Sequence, residues 1–122
     1  MKMALELEKL GCHSIAIKDM AALLKPRAAK ELVGTLKKEL HVPLHLHTHD
    51  STGNGVSTVL MAAEAGVDIV DLAIESMSSM TSQPSMNAVA EALRGTKRDT
   101  GLDFEELSEL SRYYNRIRSV YA

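Results

Sequence analysis

Two stretches of this chain share one layout. In "KLGCHSIAIKD" and "EAGVDIVDLAI" a glycine, Gly11 or Gly66, closes a helical run and a short apolar strand follows at once. A glycine at that point supplies the left-handed conformation that ends a helix. A helix–strand unit that repeats implies parallel strands, because a crossover must return the chain to the same end of the sheet. Few architectures satisfy that requirement, and in all of them ligand chemistry gathers at the carboxyl ends of the strands.

The rest of the sequence extends the pattern to αβαβαβαα. "MALELEKLG" reads as a helix end carrying Leu5, Leu7 and Leu10, and "HSIAIKDM" as a strand. Pro26 opens a helix over "PRAAKELVGTLKKEL", whose apolar stripe is Ala28, Ala29, Leu32, Val33, Leu36 and Leu40. "VPLHLHTHD" is the second strand. "GNGVSTVLMAAEAG" is a crossover helix with Val56, Val59, Leu60 and Ala63 at helical spacing. "VDIVDLAI" is the third strand, "SMSSMTSQPS" a polar loop and "MNAVAEALRG" a short helix stopped by Gly95. In the last helix, "DFEELSELSRYYNRIRSVYA", Asp103 and Glu106 form a capping box, acids come early and arginines late. Its stripe of Leu107, Leu110, Tyr114, Ile117 and Tyr121 predicts docking onto the domain body; a coiled-coil seam would need more heptads.

Composition excludes several function classes. The chain has 122 residues, enough for one domain with one core. Its 14 basic and 16 acidic residues leave no basic footprint for nucleic acid. A lone cysteine, Cys12, rules out an internal disulfide framework and fits a reducing, cytoplasmic setting. No apolar run reaches the length of a membrane span, and "KMALELEKL" reads as a charged helix rather than a signal peptide. Lys2, flanked by Met1 and Met3, has the local look of a biotin-carrying lysine but lacks the flanking strands such a hairpin tip needs.

The chemistry-bearing residues sit on the strands. Alternate residues of a strand share a face, so His45, His47 and His49 point one way and Leu44, Leu46 and Thr48 the other. The leucines can pack under the crossover helices, which leaves the histidines facing the interior of a closed barrel. Two imidazoles two residues apart can bind one divalent metal; a hydrogen-bonded histidine ladder without metal is the alternative. His49 lies nearest the strand end, and His45 deepest. Asp50 either orients a ligand histidine or serves the turn "DSTG". On the first strand, Ser14, Ala16 and Lys18 share a face. An inward, buried lysine favours its neutral amine, which can take up CO2 to give an anionic carbamate ligand. A plain ion pair of Lys18 with Asp19 or Asp71 is the other reading.

"IKDMAALLKP", "LHLHTHDSTGNG" and "SMSSMTSQPSM", in this order, closely resemble the carboxyltransferase domain of the pyruvate carboxylases, over essentially the whole chain. Oxaloacetate decarboxylase and transcarboxylase subunits and the hydroxymethylglutaryl-CoA lyase-like barrels share parts of the pattern, and "TSQPSM" favours the pyruvate carboxylases. The resemblance implies an α/β fold, a partial (β/α)8 TIM barrel of about three to four βα units plus a C-terminal helix. Residues 1–122 would form a partial carboxyltransferase domain spanning roughly barrel strands 5 to 8. It implies a divalent metal, Zn2+ or Mn2+, with Lys18 as the carbamylated lysine ligand and His47 and His49 as the histidine ligands; His45 is then the inner, non-ligand histidine. The implied reaction moves CO2 from carboxybiotin to pyruvate and forms oxaloacetate, with biotin belonging to the full-length enzyme and not attached to this chain. A fragment of a related decarboxylase or transcarboxylase subunit, or a non-catalytic assembly module on the same scaffold, is the alternative.

Departures from the pattern set further expectations. "DSTG" replaces the more usual "DTSG", and Ala22 and Ser79 stand where glycine is common. The family's aspartate ligand lies in a "DxxxRDxxQ" segment that this sequence does not contain. The pyruvate-binding arginine near it and the threonine that shuttles the biotin proton are also missing. The isolated chain is therefore expected to lack carboxyltransferase activity. A partial barrel exposes two sheet edges and an inner face, so self-association or pairing with the missing barrel half is expected.

Overall fold

The second strand organises the molecule. In the computed structural model, which describes residues 1–121, β2 (Leu44–Thr48) lies between β1 (Ile15–Asp19) and β3 (Ile69–Val70) in a parallel sheet of order β1-β2-β3. Helix α2 (Pro26–Glu39) joins β1 to β2 and α3 (Gly55–Ala65) joins β2 to β3. Helix α1 (Lys2–Lys9) precedes β1. A 3-10 turn (Glu75–Met77), α4 (Met86–Leu93) and α5 (Phe104–Tyr121) follow β3. The element order is the one expected from the sequence. Gly66 caps α3 at φ 102°, and Gly11 follows α1 at φ 85°.

Alternation along β2 divides core from site. Leu44, Leu46 and Thr48 are essentially fully buried, while His45, His47 and His49 are only half-buried on the other face. The leucines pack against Val33 and Leu36 of α2 and Val59 and Ala62 of α3, and each contributes roughly 1.5–3 kcal/mol by leaving water. The stripe of α2 is narrower than expected. Ala29, Val33, Leu36 and Leu40 are buried, whereas Ala28 and Leu32 face solvent because only one side of α2 meets the sheet. On α1 only Ala4 is buried, and Leu7 and Leu10 stay exposed.

Two expectations need correction. The third strand was expected over 67–74, yet only Ile69 and Val70 pair with β2. Beyond them the chain turns to the residues before α4: the Ala73 amide donates to the Pro84 carbonyl, the Met86 amide donates to the Ala73 carbonyl, and Ala73 forms a lone parallel bridge with Ser85. The stripe of α5 is also rotated from the expected one. Leu107 and Ser111 are buried, while Leu110, Tyr114 and Tyr121 are exposed. Polar contacts set that rotation: the Ser76 amide donates to Ser111 Oγ (3.1 Å), and Arg118 Nη1 donates to the Ser76 carbonyl (3.1 Å). Asp103 caps α5, its Oδ1 accepting from the amides of Glu105 and Glu106.

Candidate active site

The register of the sheet brings the candidate residues together. Lys18 stands opposite His47, and Ala16 opposite His45, across the β1–β2 pair. All lie on the face that the helices leave uncovered. Lys18 is exposed there rather than buried, because nothing covers the inner face of β1. It pairs with neither Asp19 nor Asp71 among the described residues. Both carboxylates are engaged elsewhere: Asp19 accepts from the amides of Leu23 and Leu24 and from Thr48 Oγ1. Those bonds pin the turn that follows Lys18, and Thr52 Oγ1 and Thr58 Oγ1 reinforce it by donating to the carbonyls of Ala22 and Leu24.

The three histidines are held in different ways. His47 Nδ1 lies 2.7 Å from Asp71 Oδ2, and His45 Nε2 lies 2.8 Å from Asp71 Oδ1. One carboxylate therefore serves two imidazoles. The bond from His47, followed by that from His45, holds the Asp71 carboxyl below the usual carboxylate range, against the opposing effect of desolvation. His49 Nδ1 donates to the Thr81 carbonyl at 2.6 Å. The rings of His47 and His49 meet edge to face, with centroids 5.3 Å apart.

Asp50 takes the turn role. Its Oδ1 accepts from the Gly55 amide at 2.7 Å, which starts α3, and among the described residues no hydrogen bond joins it to a histidine ring. Its own amide donates to the Ser82 carbonyl, and it bridges to Met80. The loop after the 3-10 turn is thereby drawn over the end of β2, with Ser79 and Met80 at φ 74° and 52°. Beside His47 and Asp71 an open cleft of about 540 Å³ runs between Val70, Gln83, Met86 and Leu102.

The donor chemistry fits a divalent metal in part. His47 and His49 each commit Nδ1 to a protein acceptor, which leaves Nε2 available on the Lys18 face. His45 has its Nε2 tied to Asp71 and is not so placed. Among the described residues no group of three or more His, Cys, Asp or Glu side chains could hold a metal. A third donor must come from another residue type, such as a modified Lys18, or from outside the chain. Sequence reasoning missed Asp71 as a partner of two histidines and Thr81 as a carbonyl acceptor. The DxxD spacing of Asp68 and Asp71 carried no signal for the first, and a main-chain acceptor has none.

The HMGL-like family profile matches residues 1–113. Pyruvate carboxylase from Staphylococcus aureus is 52% identical over 121 residues, covering 99% of this chain and 10% of that protein. Caenorhabditis elegans pyruvate carboxylase 1 is 49% identical over 123 residues, covering 100% of this chain and 10% of the relative. The carboxyl transferase domain from Rhizobium etli pyruvate carboxylase, solved with pyruvate and biocytin, superposes with a TM-score of 0.94 at 50% identity, covering 96% of this chain and 20% of that one. The chain thus spans about a tenth of the length of the curated relatives it matches. The three-stranded sheet and its helices correspond to part of a TIM-barrel-like HMGL fold.

Proposed function

Because this chain belongs to the HMGL-like family and its relatives are pyruvate carboxylases, we propose that it supplies part of a carboxyltransferase site, the site that moves CO2 from carboxybiotin to pyruvate and forms oxaloacetate. The observation that carries this reading is the shared orientation of His47 and His49, each with Nδ1 engaged and Nε2 free, on the face that also bears Lys18. On this reading residues 1–122 correspond to roughly strands 5 to 8 of the barrel.

His47 and His49 would hold a Zn2+ or Mn2+ ion through Nε2, and Lys18 would complete this chain's share after its amine takes up CO2. That uptake forms an N–C bond and releases one proton, giving an anionic carbamate. The ion, when bound, would polarise a nearby carbonyl oxygen and stabilise developing negative charge. The chain's other side chains shape its part of the site. The bonds of Asp19 keep the end of β1 fixed beside β2, and the Thr81 carbonyl of the following loop fixes the His49 ring. The cleft from His47 to Leu102, with Gln83 and Thr100 on its wall, is of a size to admit a small keto acid. Over the transfer, the proton that pyruvate gives up would go to biotin as the carboxyl group leaves it, so atoms and charge balance.

Among the described residues no helix is long and apolar enough to cross a membrane. The mammalian relatives are named mitochondrial, a compartment other than the cytoplasmic setting expected from Cys12. The uncovered inner face and the free outer edge of β1 favour pairing with the rest of a barrel or with a second copy; a monomer by light scattering at high concentration would count against the latter.

Elemental analysis of the purified chain tests the site, alongside His47→Ala and His49→Ala. Stoichiometric Zn2+ or Mn2+ in the parent, lost in both variants, is the expected result. A parent without affinity for either ion would overturn the assignment.

A further inference from the structure

Asp71 occupies a position that its own backbone sets. Its amide donates to the Leu46 carbonyl at 3.1 Å, and Leu46 lies between His45 and His47. The carboxylate is therefore held midway between the two rings, with one oxygen for each: Oδ1 for His45 Nε2 and Oδ2 for His47 Nδ1. β3 pairs with β2 through only Ile69 and Val70, so this bond extends the grip of β3 by one residue, at the point where the histidines need it.

We propose that Asp71 is a positioning residue: its carboxylate, anchored on Leu46 and braced by His45, selects the Nδ1–H tautomer of His47 and so aims the Nε2 lone pair into the open face. A neutral imidazole carries one N–H, and the nitrogen that meets a carboxylate keeps the proton. The other nitrogen is then the acceptor or metal donor. His45 faces the opposite requirement. It offers Nε2–H to the same carboxylate, so its ring cannot present that nitrogen to a ligand. Its lone pair is left on Nδ1, the ring nitrogen nearer its own backbone. The role of His45 is to occupy the second oxygen of Asp71, which stops the carboxylate from rotating away from His47 or from taking up a metal itself. The metal half of the inference rests on the reading of His47 as a ligand; the tautomer half does not.

The test is long-range 1H–15N correlation of the histidine side chains in metal-free protein, at a pH where imidazoles are neutral. His47 is expected as the Nδ1–H tautomer in the parent and as an exchanging mixture in Asp71→Ala, with Zn2+ affinity down by about 10–100-fold. Asp68→Ala is the control. It removes a carboxylate that bonds Lys37 and the Leu44 amide, and is expected to lower stability while leaving the His47 tautomer unchanged. Restoration by Asp71→Glu is not expected, since the longer arm cannot keep both oxygens in place from the same anchor. His47 found as Nε2–H or averaged in the parent overturns the proposal even if Asp71→Ala fails to fold, and so does an unchanged Nδ1–H signal in a folded Asp71→Ala. A parent with the expected tautomer but no affinity for Zn2+ would overturn the metal reading and leave the positioning role standing.

Discussion

The Asp50 carboxylate accepts from the Gly55 amide across a gap that no side chain could share. A Cβ at position 55 would lie 2.6 Å from Asp50 Oδ1 and 2.6 Å from Pro84 Cγ. Gly55 thus permits the start of α3, the end of β2 and the segment before α4 to meet at one point. Gly55→Ala is expected to lower stability by about 1–3 kcal/mol, since Asp50 or Pro84 must move to make room. Denaturant unfolding would show a lower midpoint at unchanged slope. A variant as stable as the parent would mean the junction is looser than its geometry indicates.

Three residues, Ala22, Ser79 and Met80, hold a left-handed backbone without being glycine. Ser79 is exposed at φ 74° and Ala22 is buried at φ 55°. A left-handed L-residue costs roughly 1–2 kcal/mol, and glycine recovers most of this at some cost from the freer unfolded chain. Ser79→Gly is expected to raise stability by about 0.5 kcal/mol or more. Ala22→Gly should gain less, because it also removes a buried methyl group. Thermal melts of the two variants check the order; a loss of stability in Ser79→Gly would contradict it.

Asp68 ties α2 to the sheet. Its Oδ2 accepts from the Leu44 amide and from Lys37 Nζ, each at 2.8 Å, and these bonds, the first above the second, hold its carboxyl below the ordinary range. Since the folded state binds the proton less readily than the unfolded chain, the contribution is complete above the unfolded carboxylate range. It disappears as pH falls through the folded value. Asp68→Asn should therefore cost about 1 kcal/mol at neutral pH, allowing for the half-exposed position, and nothing in strong acid. Stability curves of parent and variant that stay parallel across pH would rule this out.

Lys18→Arg keeps a cation beside His47 but removes the amine that could take up CO2. With 13C-enriched bicarbonate the parent is expected to show a carbamate carbon signal, lost in Lys18→Arg, and the variant should bind Zn2+ about tenfold or more weakly, the scale of one modest ligand contact. A parent that never shows the signal, with metal present, would remove Lys18 from the ligand set.

Much of this fold is legible from short-range pattern. The alternation of β2 separates Leu44 and Leu46 from His45 and His47 because strand geometry forces it, and Gly66 ends α3 because few other residues can. What the sequence conceals depends on distant partners. "VDIVDLAI" has the composition of a full strand, but its length is decided by Pro84 and Ser85, which capture Ala73. The docking face of α5 follows from Ser111 and Arg118 meeting Ser76, and a polar anchor of that kind is invisible to apolar periodicity. At the site, Lys18, His47 and His49 stand out by residue type and spacing. Asp71 does not, since its partners lie 24 and 26 residues away.

The bond from His49 to the Thr81 carbonyl gives the two candidate donors unlike genetic exposure. Any single-base change that replaces Asp71 can unseat His47, whereas every amino acid at position 81 brings the same carbonyl. His49 should therefore tolerate substitution along its supporting loop but not a change in that loop's length. Natural variation among such chains would then be free in the letters between Ser78 and Gln83 and strict in their number.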